Sequence, residues 1–476
     1  MRRSNVFRAM VGVYFLVGSS LVCRPLLSAG QEKSGRPNVI VIISDDQGWA
    51  DLGMQGGRTD VRTPHLDALA ADGVRFRRGY VSAPVCVPSR AGLLTGRCQT
   101  RFGIESNADG PLPAAELTIG DRMREAGYAT ALVGKWHLAT SQANSRNAKS
   151  IPRDQIIWGD NATIDDPNLP GKRGFDEYFC GAMVNFAASF DLAGRSLPKP
   201  TLINDRRDRI QVTTEAALAY LGREHEKPFF LYVGFFAPHV PLHAEPQYLE
   251  RHADVTDETR KTGLAMISAV DDGVGKIRAR LQEMEIDRNT LIFYVSDNGA
   301  PLKKGMWDGS LNEPLVGEKG MLTEGGIRVP FLLAWPGTIK GGQEFPHAVS
   351  TLDILPTSLA AAGAAIDPAW GLDGVNLLPA LSSDSDKPPH EKLYWRYRSQ
   401  AAVATDRWKL LFIAPDQRHL YDLTAPDGER RDVAAEHPEV TAELFDALSR
   451  WCKEQSPPGL PASWDKEDAS LYSDKK

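Results

Sequence analysis

Residues Asn38–Ser44 read Asn-Val-Ile-Val-Ile-Ile-Ser, a β-branched run with no polar residue on alternate positions. A strand with one wet face would alternate, so this one must be covered on both sides, which is the situation of an inner strand in a parallel sheet flanked by helices. Similar runs recur at Thr130–Val133, Phe229–Phe236 and Thr290–Val295. Helical patterns lie between them. Pro64–Ala71 follows Thr63 as N-cap and stops at Gly73, and Leu117–Ala126 stops at Gly127, the glycine signal of a helix end. Leu264, Ile267, Val270, Val274, Ile277, Leu281 and Met284 form one apolar stripe at three- and four-residue spacing, which predicts a longer helix. Strands alternating with helices place the chain in the α/β class, as a sandwich built on a large, mainly parallel sheet.

The pattern changes after about Pro379. Leu393–Arg398, Ala401–Ile413 and His419–Leu423 are short strand candidates split by turn residues, and a helical pattern covers Val440–Trp451. The expected organisation is therefore a large α/β region over 36–379 and a smaller C-terminal antiparallel sheet with a terminal helix over 380–476. Ser141–Pro170, rich in Asn, Asp and Pro, reads as a long surface loop of the kind that often carries binding elements.

Arg2, Arg3 and Arg8, a mostly apolar run from Ala9 to Val22 and the small residues Ser28-Ala-Gly30 read as an export signal over 1–29. The apolar run is too short to predict a membrane anchor. The formal charge is −6, and removing the four arginines of residues 1–29 takes it to −10. With no Lys/Arg-rich block, nucleic acid is not an expected partner. Export permits disulfides, but Cys86, Cys98, Cys180 and Cys452 are too few and too unevenly spaced to make a framework. A single sequon, Asn161-Ala-Thr163, and the scarcity of cysteine favour a periplasmic or extracellular bacterial setting.

Two core strands end in acidic clusters, Asp45-Asp46 and Asp297-Asn298. Ligands of open α/β sheets bind outside the carboxyl ends of strands, and three carboxylates with an amide oxygen suit Ca²⁺ or Mg²⁺. Each pair alone is also what a turn after a strand looks like; their joint occurrence favours the metal reading. The Thr130 strand ends in Gly134-Lys-Trp-His137 and the Phe229 strand in Pro238-His239. They bring a lysine and two imidazoles to the same edge for anion contact and proton transfer. Lys319 lies in the glycine-rich Gly317-Glu-Lys-Gly320, just before Thr323-Glu-Gly-Gly-Ile-Arg328. In Cys86-Val-Pro-Ser-Arg90, Pro88 suits a first helical turn, which places Cys86 at a helix N-terminus with Arg90 and Arg97 adding positive charge. A thiolate there would be activated as a nucleophile or redox centre, although no CxxC partner exists.

Here the chain resembles the formylglycine-dependent (type I) sulfatase family of the alkaline-phosphatase-like superfamily. Cys86-x-Pro-Ser-Arg90 with Leu94-Thr-Gly-Arg97 matches its signature, and Asp45, Asp46, Asp297, Asn298, Gly134–His137, Pro238-His239, Lys319 and Gly325–Arg328 match further motifs. The likeness extends to about Arg430, through Trp408-Lys-Leu-Leu and Leu420-Tyr-Asp-Leu. It implies an alkaline-phosphatase-like fold and a sulfuric ester hydrolase of arylsulfatase type. Cys86 would be converted to formylglycine by a formylglycine-generating enzyme. One Ca²⁺ would be held by Asp45, Asp46, Asp297, Asn298 and residue 86. The hydrated aldehyde would attack sulfur with help from Arg90, giving a covalent sulfo-enzyme. Lys135 and Lys319 would hold the sulfate, His239 would protonate the leaving alcohol, and His137 would act as base in sulfate release. The expected substrate is a sulfated carbohydrate or aryl sulfate. A phosphodiester or phosphonate monoester hydrolase of the same superfamily is the rival enzyme, and a non-catalytic sulfated-glycan-binding protein is the alternative of another class.

Overall fold

Strand β1 (Asn38–Asp45) is buried along its whole length. Its side chains divide by parity: Val39, Val41 and Ile43 enter one hydrophobic core, Ile40 and Ile42 another. That period-two division explains the unbroken apolar run, because both faces of the strand are covered. The computed structural model describes residues 35–139, 156–157, 162–382 and 387–463. The expected export signal, Trp158, Asn161 and most of the loop expected between Ser141 and Pro170 lie outside them.

The chain continues through α1 (Pro64–Ala71), β2 (Val74–Tyr80), α2 (Cys86–Thr95), α3 (Ile119–Glu125), β3 (Ala129–Gly134), β4 (Glu177–Cys180), β5 (Asn185–Phe190), β6 (Ser196–Asn204), α4 (Arg209–Leu221), β7 (Phe229–Pro238), α5 (Pro246–Glu250), α6 (Glu258–Glu283) and β8 (Thr290–Ser296). There follow α7 (Glu324–Ile327), β9 (Phe331–Ala334), β10 (Gln343–Ser350), α8 (Ile354–Ala361), α9 (Leu378–Ser382), β11 (Leu393–Tyr397), β12 (Gln400–Ala404), β13 (Trp408–Ile413), β14 (Gln417–Asp422) and α10 (Pro438–Lys453).

Ten strands form one sheet in the order β10-β2-β9-β8-β1-β7-β3-β4-β5-β6. The centre, β8-β1-β7-β3-β4, is parallel throughout. Antiparallel pairing enters only outside it, at β8-β9, β9-β2, β4-β5 and β5-β6. Helices α2, α3 and α8 cover one face through Leu94, Met123 and Leu355, and α4 and α6 cover the other through Ile210, Ala217, Val270 and Ile277. The sheet is thus the large, mainly parallel one expected, with mixed margins.

A second sheet, β11-β12-β13-β14, is antiparallel. On β12, Ala401 and Val403 face α10, whereas Ala402 and Ala404 face Tyr80, Val81, Leu322 and Ile327 of the large unit. The segment expected as one strand, Ala401–Ile413, is two, β12 and β13. Helix α3 starts at Ile119 because the Thr118 hydroxyl and the Asp121 carboxylate form a reciprocal capping box. Thr63 occupies the N-cap position of α1 but its side chain makes no capping bond. Asp271 of α6 accepts from the N–H groups of His65 and Leu66 instead, a tertiary cap that no local pattern announces. The described cysteines, Cys86, Cys98, Cys180 and Cys452, are all buried, and Cys86, Cys98 and Cys452 are free. No helix among the described residues is long and apolar enough to cross a membrane.

Candidate active site

Parallel neighbours end side by side, so β8, β1, β7 and β3 deliver the chemistry-bearing residues to one edge. Asp45 closes β1 and Asp46 follows it with a left-handed backbone (φ 69°). Asp297 and Asn298 follow β8, Lys135 and His137 follow β3, and His239 follows β7. His137 is also left-handed (φ 65°), and such conformations at non-glycine residues persist only where the surroundings enforce them. Gly134 turns the chain into Lys135 at φ 84°, where a Cβ would stand 2.0 Å from the Gly234 carbonyl oxygen. Cys86 is the first residue of α2, fully buried, and approaches the group from the side.

Three carboxylates and three cations meet here. The Lys135 ammonium lies 2.5 Å from Asp45 Oδ2. Lys319 Nζ donates to both oxygens of Asp46 at 2.6 and 2.7 Å, and stands 3.5 Å from Cys86 Sγ. Arg90 donates from Nε to Asp297 Oδ2 at 2.9 Å and from Nη1 to the Tyr232 hydroxyl and the Lys135 carbonyl. Its Nη2 is 2.8 Å from Asp297 and 3.6 Å from Asp45. Asp45 Oδ1 is 3.6 Å from Cys86 Sγ. His239 Nε2 lies 3.7 Å from Asp46 Oδ2, while its Nδ1 is held by the Val240 carbonyl at 2.7 Å and its ring stacks on Phe236. The cluster is therefore balanced charge for charge with the histidines neutral.

Burial pushes the Cys86 thiol well above its ordinary range, and the nearby carboxylates add to this against Lys135 and Lys319. The activated thiolate expected from the helix position is absent: desolvation outweighs the helix end and both lysines. Burial would also raise Asp45, yet Lys135, His239, Arg90 and Lys319 hold it well below the usual carboxylate range. Asp297, buried and facing Asp45, is pushed up to about 6. Burial, then the charges of Lys135 and Arg90, hold the His137 imidazole in its neutral form. Burial also lowers His239, opposed by Asp46 and Asp45.

The donor set fits a hard divalent cation. Ligand atoms of Asp45, Asp46, Asp297 and Cys86 all lie within 4.8 Å of one another. Asn298 Nδ2 donates to Asp46 while its Oδ1 is buried with no hydrogen-bond partner, an orphaned acceptor beside the acidic cluster of the kind a bound cation satisfies.

One expected contributor is elsewhere. Arg97 lies beyond the far end of α2 and pairs with Glu116, so it adds no charge at Cys86. Trp136 is core, its Nε1 donating to the Asn168 carbonyl. Arg328 pairs with Glu324 and the Arg77 carbonyl, and Trp307 donates to the Ser310 carbonyl. Sequence reasoning missed Tyr232 and two loop anchors. Asn107 accepts from the Val87 N–H beside Cys86, and Asn312 bonds both Ala300 and Gly317. Tyr232 reads as an ordinary strand aromatic, and nothing local distinguishes either asparagine.

An alkaline-phosphatase-like α/β sheet with an acidic edge suited to a metal ion and a buried Cys86 at a helix start defines a class of ester hydrolases. The Sulfatase family model matches residues 37–364, and the model for the C-terminal part of N-sulphoglucosamine sulphohydrolase matches 315–454. The N-acetylgalactosamine-6-sulfatase of Mus musculus is 32% identical over 420 residues, covering 81% of this chain and 73% of the relative. The steryl-sulfatase of Mus musculus is 29% identical, covering 87% and 81%. The crystal structure of Ps i-CgsB in complex with k-i-k-neocarrahexaose superposes with a TM-score of 0.74 at 28% identity, over 92% of this chain and 97% of that one. The chain belongs to the sulfatase family and is a sulfuric ester hydrolase.

Proposed function

We propose that the protein is an exported sulfatase that removes sulfate monoesters from a sulfated carbohydrate, with residue 86 working as formylglycine and Ca²⁺ as the metal. The observation that carries this is the placing of Cys86 Sγ within 3.6 Å of both Asp45 and Lys319 in a buried, charge-balanced cluster. Its thiol is too firmly protonated to act as a nucleophile itself. A hydrated aldehyde at this position supplies an oxygen nucleophile, and Ca²⁺ held by Asp45, Asp46, Asp297, Asn298 and residue 86 supplies Lewis acidity toward the sulfuryl group. With each carboxylate already matched by one cation, a dication gives the site the net positive charge that a sulfate ester needs.

The remaining work falls to this chain's side chains. Lys135 and Lys319 bind sulfuryl oxygens, and Arg90, fixed by Asp297 and Tyr232, faces the nucleophile from the core side. His239 gives a proton to the departing alcohol oxygen. Its Nδ1 donates to the Val240 carbonyl, which leaves Nε2 bare in the neutral ring, so the proton it gives is one that Nε2 takes up on forming the imidazolium, which Asp46 favours. His137, held neutral by its surroundings, is able to accept the proton whose removal lets sulfate leave. A carbohydrate substrate is supported by a relative named for an amino-sugar sulfate and by a neighbour bound to a carrahexaose. Export is supported by the basic and apolar pattern of residues 2–22.

Peptide mass spectrometry across residues 86–90 of active enzyme tests the reading. The mass of formylglycine is expected at position 86, and full activity with unmodified cysteine overturns it. Paired assays on aryl sulfate and aryl phosphonate esters separate sulfatase from phosphonate hydrolase activity, with preference for the sulfate expected.

A further inference from the structure

Lys319 sits on a loop bounded by Gly317 and Gly320, both with left-handed backbones (φ 92° and 88°). A loop of that composition does not hold a long side chain in one place by itself. Part of its support comes from the catalytic unit: Lys319 N–H donates to the Ala300 carbonyl and Gly320 N–H to the Pro84 carbonyl. The rest comes from the second sheet. Gln400, the first residue of β12 and completely buried, donates from Nε2 to the Gly320 carbonyl at 3.0 Å and accepts from the Leu322 N–H at Oε1, also at 3.0 Å. Its amide engages the loop as a neighbouring strand would, one donor and one acceptor on residues two apart.

Two further contacts show that this sheet grips the site's loops. Lys409 on β13, wholly buried, lies 3.0 Å from both Glu324 and Glu429, and Glu429 accepts from the Glu324 N–H, just beyond the Lys319 loop. On the other side Arg396 of β11 pairs with Glu105, two residues before the Asn107 that holds the Val87 N–H.

We propose that Gln400 is a positioning residue for sulfate transfer. By fixing residues 320–322 it delivers Lys319 Nζ to Asp46 and residue 86, so the C-terminal sheet is part of the catalytic apparatus. The inference rests on the reading of Lys319 as a ligand of the sulfuryl oxygens. A small displacement of such a group weakens binding of the anion in both ground and transition states.

A double-mutant cycle on the full-length, Cys86-modified enzyme, with para-nitrophenyl sulfate as substrate and inorganic sulfate as competing anion, tests it. Gln400→Leu is expected to lower kcat/KM about tenfold, as for loss of well-placed hydrogen bonds, and to weaken inhibition by inorganic sulfate. In the Lys319→Ala background the same change is expected to cause no further loss. An equal loss in both backgrounds, or no loss in the wild-type background, overturns the proposal. Lys319→Ala with undiminished kcat/KM overturns the sulfate role of Lys319 itself and with it the proposal, and that single variant identifies where the failure lies. Should Gln400→Leu not fold, Gln400→Glu keeps an acceptor for Leu322 and replaces the donor to Gly320 by a carboxylate oxygen that repels that carbonyl. It is read in the same cycle with the same expected dependence on Lys319.

Discussion

At residue 86 and around it, side chains of ordinary type acquire unusual properties from burial. Cysteine at a helix start beside two ammonium groups is the arrangement that usually yields a thiolate, and here desolvation reverses the outcome. Cys86→Ala is expected to abolish turnover. Cys86→Ser is expected to accumulate at most one equivalent of sulfated enzyme per site, because a serine ester lacks the second hydroxyl that lets an aldehyde hydrate collapse. Burst-phase kinetics on an aryl sulfate check this; sustained turnover by the serine variant refutes the role given to the hydrate. Asn298 offers a second test. Asp45, Asp46 and Asp297 each have a cationic partner, whereas Asn298 Oδ1 has none. Asn298→Ala is therefore expected to lower Ca²⁺ affinity and shrink the rise in Tm that Ca²⁺ confers, about 2.7 kcal/mol of stabilisation at a hundredfold excess over Kd. Calorimetric titration of both proteins with Ca²⁺ measures the difference, and equal affinities exclude Asn298 as a ligand. The acidic pairs were legible because each interrupts a strong apolar run at its carboxyl end. Tyr232 and Asn107 were not, since their roles depend on what folds against them, as does the pairing of Arg97 with Glu116.

Elements were readable wherever burial on both faces or a full helical stripe forced a pattern, as in β1, β7, β8 and α6. They were less readable where tertiary contacts do the work of local signals. Thr63 has the right type and place to cap α1, yet the capping oxygens belong to Asp271, more than two hundred residues away. The start of α8 shows the same kind of dependence. Asp353 accepts from the Ser350 and Val375 N–H groups, and both its oxygens lie 2.9 Å from His390 Nε2 on the segment leading to β11. Burial works against a charged His390, but the Asp353 charge and hydrogen bonds prevail and raise the imidazole above its ordinary 6.5. The folded protein thus holds this proton more tightly than the unfolded chain. The stabilisation is fully present below about pH 6.5 and is lost as pH rises through the raised folded value. Thermal melts of wild type and His390→Gln across this range are expected to differ most at the acid end and to converge as pH increases. A gap that widens with pH contradicts the linkage.

At the level of the whole molecule, the second sheet changes the architecture without breaking the core. The expected division into 36–379 and 380–476 rests on a change of pattern in the sequence, from long apolar runs to short alternating or aromatic strand candidates. Composition could not show how the second sheet is used. Its inner face packs Trp395, Ala402, Leu411 and Ile413 against Tyr80, Val81, Leu322, Ile327 and Val329. Trp395 meets Tyr80 edge-on at 5.4 Å and donates from Nε1 to the Val81 carbonyl, and Lys409 buries its charge between Glu324 and Glu429. Removing residues 380–476 would expose that apolar face and take Lys409 away from Glu324, leaving Arg328 at 3.5 Å as its ion-pair partner. A chain of residues 36–379 is therefore expected to be recovered only as aggregate or as a loosely packed form lacking near-ultraviolet circular dichroism. The full-length protein is expected to unfold in one transition, with Trp395→Ala lowering its stability by about 3–5 kcal/mol while leaving that transition single. Calorimetry and size-exclusion chromatography decide the matter: a monomeric, cooperatively melting 36–379 fragment would show that the two sheets are separate folding units, and Gln400 would then be holding the Lys319 loop across a domain interface rather than within one core.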